Sequence, residues 1–243
     1  MLNRDVDRYL ALQVGLVVFG LPLAVYSYLI LENVPLLALG LACVILGATA
    51  ILIPSSPVPA HTIRAMVEGS CVNIEALLEE FNARERAVYL PPRDGRVYAF
   101  VPLRGNPGAS VAWAASEAPL RVVTEAGGEP GLMVFPPGSE IVRLGLLSPE
   151  AGVEEALGHV LVDFLEAVES VRAVREGGRV VVDMKGARVE TEFPRYRMVL
   201  GSINTSTAGC VLSTVLEVPL LLQDEQVEEG VVRAVFREVP HGG

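Results

Sequence analysis

The residues best placed to do chemistry are the hydroxyl-rich run "LGSINTSTAGC", residues 200–210. Ser202, Asn204, Thr205, Ser206 and Thr207 stand at the start of an apolar helical pattern. Their hydroxyls and the first backbone amides of the helix could hold an anionic ligand, with Ser202 as a candidate nucleophile. The GxSxG and SxxK patterns are missing, and no base stands near Ser202 in the sequence. Helix capping by Ser, Asn and Thr accounts for the same run without any ligand. Glu155, His159 and Asp163 recur every four residues, which puts them on one helical face. Two carboxylates around an imidazole could tune a base, and His159 is the second catalytic candidate. A metal site would need ligands from another element, and charge opposite an apolar stripe is how a solvated helix reads. No metal and no cofactor is expected.

A third group is basic. Arg84, Arg86, Arg93, Arg96 and Arg104 outnumber Glu85 and Asp94 around one turn, "PPRDGR". Such a cluster could rest on anionic headgroups at an inner leaflet, and it could equally be a solvated hairpin. Its aromatic neighbours Tyr89, Tyr98 and Phe100 are too few for an RNA-binding sheet. The net charge of the chain is −10, which opposes a nucleic-acid partner. Gly127-Gly128 and Gly105-Asn106-Pro107-Gly108 match neither a phosphate loop nor a dinucleotide fingerprint. The three cysteines, Cys43, Cys71 and Cys210, lie far apart and form no CxxC pair, so neither a disulfide framework nor a zinc site is indicated.

These groups must be positioned by elements of two kinds. From Tyr9 to Ile53 the only charged side chain is Glu32. The residues from about 10 to 31 and from 34 to 53 would each form a helix of roughly 30 Å, the thickness of a bilayer core. Glu32, Asn33 and Pro35 supply polar atoms and a helix break between them. The sequence therefore predicts a two-helix transmembrane hairpin over residues 1–53. Gly15, Gly20, Gly40 and Gly47 offer sites of close helix approach, and ordinary lipid-facing composition explains them as well. Arg4 and Arg8 precede the first span, Arg64 follows the second, and the turn has no basic residue. The positive-inside rule then puts both termini in the cytoplasm of a multi-pass cell-membrane protein.

"PSSPVPA", residues 54–60, reads as a stiff stalk. Residues 61–243 read as one cytoplasmic α+β domain with a mainly antiparallel sheet and two or three packed helices. Apolar residues at helical spacing run from Ile63 to Phe81, as one helix or as two split at Gly69-Ser70. "AVYL" and "VYAFVPL" flank the Arg-rich turn as a hairpin, and "LRVVTE", "GLMVFPP" and "SEIVRLG" continue as strands. Ser148-Pro149-Glu150 opens a helix of about 27 residues that Gly177-Gly178 would end. "RVVVDMKGARVETEF" reads as a second hairpin, Tyr196–Leu200 as a strand, and about Thr205–Glu217 as a helix. "VPLLLQDE" and "VVRAVFREV" close the chain as strands.

With the two spans, the stalk and "RYRMVLGSINTSTAGCVLSTVLEVPLLLQDE" in view, the chain resembles uncharacterised archaeal membrane proteins that carry two N-terminal helices and a cytoplasmic domain. Its C-terminal run, "AGCVLSTVLEVPLLLQDEQVEEGVVRAVFREV", resembles the end of 4-vinyl-reductase-type ligand-binding domains. There cysteines commonly flank the glycine that corresponds to Gly230, whereas Glu229 and Val231 do so here. That likeness implies a small-molecule pocket. Three functional expectations result. The first is a membrane-anchored, non-enzymatic domain that binds a partner protein, a second copy or a small ligand. The second is a membrane-bound enzyme that uses the Ser202–Thr207 loop with His159. The third is a structural subunit that packs through its spans.

Overall fold

The computed structural model describes residues 3–52, 60–105, 108–144, 147, 151–187 and 192–240. The chain divides into two compact units, residues 1–62 and 63–243.

The first unit is a pair of apolar helices. Helix α1 (Asn3–Tyr26) runs into a π-helical turn (Ser27–Leu31), and α2 (Val34–Leu52) follows after two residues. Glu32 reverses the chain in the left-handed region at φ 48°. The Asn33 side chain then accepts the Leu36 amide at 3.2 Å and caps α2. The break is thus capped on one side by the Asn33 side chain and closed on the other by the backbone amides of Glu32 and Asn33, which donate to the Ser27 carbonyl. Gly20, Gly40 and Gly47 sit where the helices touch: a Cβ on Gly40 would stand 2.6 Å from the Ala24 nitrogen, and one on Gly20 would stand 2.8 Å from Cys43 Cβ. Gly15 faces open space. Phe19, Leu29, Ile30, Val34 and Ile45 point outward and are exposed. Leu12–Leu31 and Val34–Ile51 are each long and apolar enough to cross a membrane.

The second unit holds an eight-stranded antiparallel sheet in the order β3-β4-β2-β1-β7-β8-β6-β5. Its strands are β1 (Val88–Tyr89), β2 (Ala99–Pro102), β3 (Val123–Ala126), β4 (Glu129–Val134), β5 (Ser170–Glu176), β6 (Arg179–Lys185), β7 (Leu220–Glu228) and β8 (Val231–Glu238). The helices are α3 (Ala60–Glu80), α4 (Ala109–Glu117), α5 (Gly138–Arg143), α6 (Val153–Gly158), α7 (Pro194–Leu200) and α8 (Ile203–Leu216), with a π-helical segment, His159–Phe164, after α6. The main core joins α3, α6, α7 and α8 to the sheet through Leu78, Leu157, Leu161, Val199 and Leu212. A smaller core forms where α4 sets Val111, Ala112 and Ala115 against Val88, Phe100 and Met133. Trp113 ties α4 to the end of β8, because its indole N–H donates to the Val239 carbonyl at 3.1 Å.

The first hairpin pairs β1 with β2 as expected, with Val88 opposite Phe100. Helix α3 runs unbroken through Gly69-Ser70, and α8 and the two last strands stand where their patterns put them. Several expectations are corrected. The long helix ends at Phe164, and the residues that would complete it form β5, paired with β6 over seven positions. Glu166 in the left-handed region breaks the helix, and Gly177-Gly178, both at positive φ, make a tight hairpin turn between β5 and β6. "SVRAVRE" alternates as a half-buried strand, a period that the longer apolar stripe of the helix reading obscures. The cap expected at 148–150 lies outside the described residues.

Strand β6 finds its partners in β5 and β8 and not in the residues after Gly186, of which 188–191 lie outside the described residues. Tyr196–Leu200 is helical, because Pro194 opens α7 at the first position with its ring already set for a helix. "SEIVRLG" supplies α5, where Ser139 accepts the Val97 amide at 2.9 Å. The domain therefore carries six helices among its described residues, and not two or three. Pro194–Leu216 is also apolar enough to span a membrane, but it breaks at Gly201 and is 78% buried, so it belongs to the core.

The helix pair yields a test. Gly40→Val forces a side chain into the Ala24 backbone, and overpacking of this kind costs about 1–3 kcal/mol. Gly15→Val fills open space and should leave the melting temperature in detergent unchanged. Equal shifts for the two variants would mean that the helices do not meet at Gly40.

Candidate functional site

The Ser202 run lies at the start of α8, a deeply enclosed helix with Asn204 to Ser213 buried without interruption. Ser202 is only 2% exposed. Its hydroxyl donates to Thr205 Oγ1 at 3.1 Å and accepts the Thr205 amide at 3.3 Å. Its carbonyl accepts the Ser206 amide at 2.8 Å. Its own amide donates to Glu225 Oε2 at 2.6 Å, and Glu225 Oε1 accepts Arg197 Nε at 3.0 Å. The Glu225 side chain, on β7, is itself 2% exposed. An acidic group beside a helix N-terminus is electrostatically favoured. Glu225 thus occupies the position in which an anionic ligand would sit, and the chain supplies its own anion.

The other hydroxyls of the run are used in packing. Thr207 Oγ1 donates to the Ile203 carbonyl at 2.8 Å, and the Thr207 backbone lies so close to Gly138 of α5 that a Cβ there would stand 2.6 Å from it. Asn204 and Thr205 are buried. Ser206 Oγ and Tyr196 Oη are buried close to one another, while Tyr89 Oη donates to the Leu200 carbonyl at 2.6 Å. Burial pushes the Tyr89 and Tyr196 phenols well above their ordinary values and raises the Cys210 thiol. These are inert groups, held neutral where they stand.

His159 lies elsewhere in character. It is half-exposed on the π-helical segment, with Nδ1 3.9 Å from Asp163 Oδ2. No hydrogen bond joins it to Ser202. Among the described residues no group of three His, Cys, Asp or Glu side chains is arranged to hold a metal ion. The arginine cluster is also committed. Arg84 donates to Asn82 Oδ1, Arg86 to the Arg197 carbonyl and Arg93 to the Ala118 carbonyl. Arg96 pairs with Glu140 at 3.5 Å and lies 5.8 Å from the centre of the Phe135 ring.

An open concavity of about 600 Å³ lies beside the first hairpin and α4, lined by Pro91, Arg93, Trp113 and Glu217, and two others lie at the β5–β6 end of the sheet. One, of about 620 Å³, is lined by β5, β6, β7 and β8 and carries an Arg233–Asp183 ion pair at 2.6 Å, with Arg172 and Lys185 also on its wall. A second, of about 750 Å³, runs between β5 and α6. Sequence reasoning misses this second groove because it follows from β5 being a strand. It also misses Glu225 and Glu75, two acids whose partners lie 23 or more residues away in the chain.

A family model described as a domain of unknown function, DUF7982, matches residues 4–192, more than half of the chain. The chain belongs to the DUF7982 family. No curated protein and no solved structure matches it. The DUF7982 match covers both apolar helices and the domain as far as β6, and it ends before α7, α8, β7 and β8.

The buried phenols separate in a mutational test. Tyr89→Phe leaves the Leu200 carbonyl without its hydroxyl donor and should cost about 1–3 kcal/mol, while Tyr196→Phe removes a hydroxyl that holds no backbone group and should cost less. Their raised values also set the alkaline limit. Above about pH 9 to 10 the unfolded chain gives up protons that the folded chain keeps. Stability is therefore full below that range and falls as the pH rises through it. Denaturant titrations across neutral and alkaline pH should show this fall, and Tyr196→Phe should flatten part of it. A slope unaltered by Tyr196→Phe would place that phenol in contact with solvent.

Proposed function

We propose that this DUF7982 chain is a membrane-anchored, non-enzymatic protein whose second unit works in the cytoplasm as a scaffold, sensor or accessory subunit by binding a partner protein. The apolar helix pair is the anchor and forms a transmembrane hairpin with both termini inside. The observation that carries this reading is the outward apolar surface of the pair, with Phe19, Leu29, Ile30, Val34 and Ile45 exposed over helices of membrane-spanning length. In water that surface would be a large aggregation-prone patch, and in lipid it needs no further cover. The basic residues Arg4, Arg8 and Arg64 on either side, and none at Glu32-Asn33, support the orientation.

Binding is favoured over catalysis by how the polar interior is used. A nucleophile must reach substrate and a base within hydrogen-bond distance. Ser202 is enclosed and bonded to Thr205, and His159 lies outside on another element. Packing of α8 against the sheet also leaves no room at Gly209, where a Cβ would stand 2.7 Å from the Tyr89 ring. That favours a protein partner at the surface over a ligand beneath α8.

The test combines extraction with labelling. The protein should remain in the membrane pellet after alkaline carbonate washing. Asp94→Cys, at the exposed tip of the first hairpin, should react with a membrane-impermeant maleimide only from the cytoplasmic side, and Glu32→Cys only from the opposite side. The native Cys71 and Cys210 are buried and give little background. Release by carbonate, or reaction of both positions from one side, would remove the anchor from this reading.

A further inference from the structure

Strand β5 ends the sheet. Among the described residues no strand pairs with its outer edge, and an edge of this kind is a template for another chain. The Ala173 amide points away from β6 and donates to Glu154 Oε2 at 2.9 Å. The β5–β6 pairing is regular, so the amides and carbonyls of Val171 and Arg175 point the same way. Facing them across the groove is α6 with the π-helical segment that extends it. Val153 and Val162 stand on that wall, and Val171 and Ala173 on the strand side. The groove therefore offers a row of outward backbone groups beside an apolar strip, the arrangement in which an extended peptide adds to a sheet.

Its charge selects the occupant. Glu154, Glu155, Asp163 and Glu169 all line the groove. The basic residue among them, Arg175, is held by both oxygens of Glu238 at 2.6 and 2.8 Å. We propose that this groove binds an extended, basic segment of a partner protein as a ninth strand, its alternate Lys or Arg side chains meeting these acids. The Glu154 carboxylate on the Ala173 amide holds the place of the carbonyl that such a strand would bring. A second copy of the chain fits less well, because its β5 would arrive with the acids that flank it, Glu154 and Glu155 of its α6, Asp163 and Glu169, against these four. The proposal rests on the partner-binding reading above and supplies the chemical class of that partner.

The experiment uses the full-length chain in zwitterionic nanodiscs and a fluorescent peptide of alternating Lys and Val, followed by anisotropy. The Lys/Val peptide should bind and its Glu/Val counterpart should not. Methylation of alternate backbone nitrogens on the peptide should weaken binding about tenfold or more, because strand addition runs through the backbone. Ala173→Pro removes one outward amide where an edge strand tolerates proline, and it should weaken binding by a similar factor while leaving the melting temperature close to that of the parent. Glu155→Gln with Asp163→Asn should weaken it further and reduce its salt dependence. Absence of binding overturns the proposal, and so does binding indifferent to backbone methylation and to Ala173→Pro, which would mean charge attraction alone. A dimer that Ala173→Pro dissociates would assign the edge to a second copy. A negative result with the carbonate and labelling tests intact would remove only this partner class, whereas failure of those tests removes the anchor whatever the peptide does.

Discussion

The domain depends on burying the N-terminus of α8. A helix start leaves several amides without intrahelical partners, and in a dry core they cannot turn to water. Here the Ser202 side chain takes the Thr205 amide, its carbonyl takes the Ser206 amide, and Glu225 reaches from β7 to take the Ser202 amide. Arg197, in the last turn of α7, holds the other carboxylate oxygen. Because these groups are satisfied from inside, α8 can lie flat on the sheet, with Gly209 under the Tyr89 ring and Thr207 against Gly138. Gly201 makes the link possible, since the chain turns between α7 and α8 at φ 80° within reach of Glu225. The same hydroxyls that read as chemistry in the sequence are the means by which a polar helix start is made compatible with the core.

A second carboxylate does the corresponding work for α7. Glu75, on α3, accepts the backbone amides of Arg195 and Tyr196, and the Arg195 guanidinium reaches back to the Ala83 carbonyl. Helix α3 is therefore joined to the core by polar contacts to α7 as well as by Leu78 and Cys71.

How much of this was legible in the sequence varies with the range of the interactions that decide it. The apolar pair could be read because its signal is local: two long uncharged runs and a polar break at Glu32-Asn33-Pro35. The extent of α8 and the pairing of β7 with β8 were legible for the same reason, a Ser cap at one end and a Glu229-Gly230 turn between alternating runs. The helix expected through residues 165–177 failed because "AVESVRAVRE" suits either period, and the choice was made by β6, which offers Val180, Val182 and Met184 as a buried ladder beside it. Likewise "SEIVRLG" became α5 because Ser139 is needed by the Val97 amide across the core, a partner 42 residues away. The candidate residues at Ser202–Thr207 were found by type. That their ligand is Glu225 depends on the strand order, which no local pattern contains.

The surface follows from the same economy. With Ser202, Thr205, Arg197 and Glu225 committed to one another, and Arg84, Arg86, Arg93 and Arg96 committed to carbonyls, an amide and Glu140, β5 presents a row of outward donors and acceptors as one of the two strands that end the sheet. Natural edges are commonly shielded by charge, and Glu154 on Ala173 is such a shield. A single carboxylate covers one amide of the row, and an extended chain would cover all of it. Strand addition alone gives modest affinity, but a domain anchored as proposed would meet partners confined to the same membrane at an effective concentration far above that in bulk solution. An edge too weakly adhesive to aggregate a soluble protein is then sufficient for a tethered one. On the proposed reading the apolar helices and the acid-lined groove beside β5 would serve one function, the first setting the concentration at which the second operates.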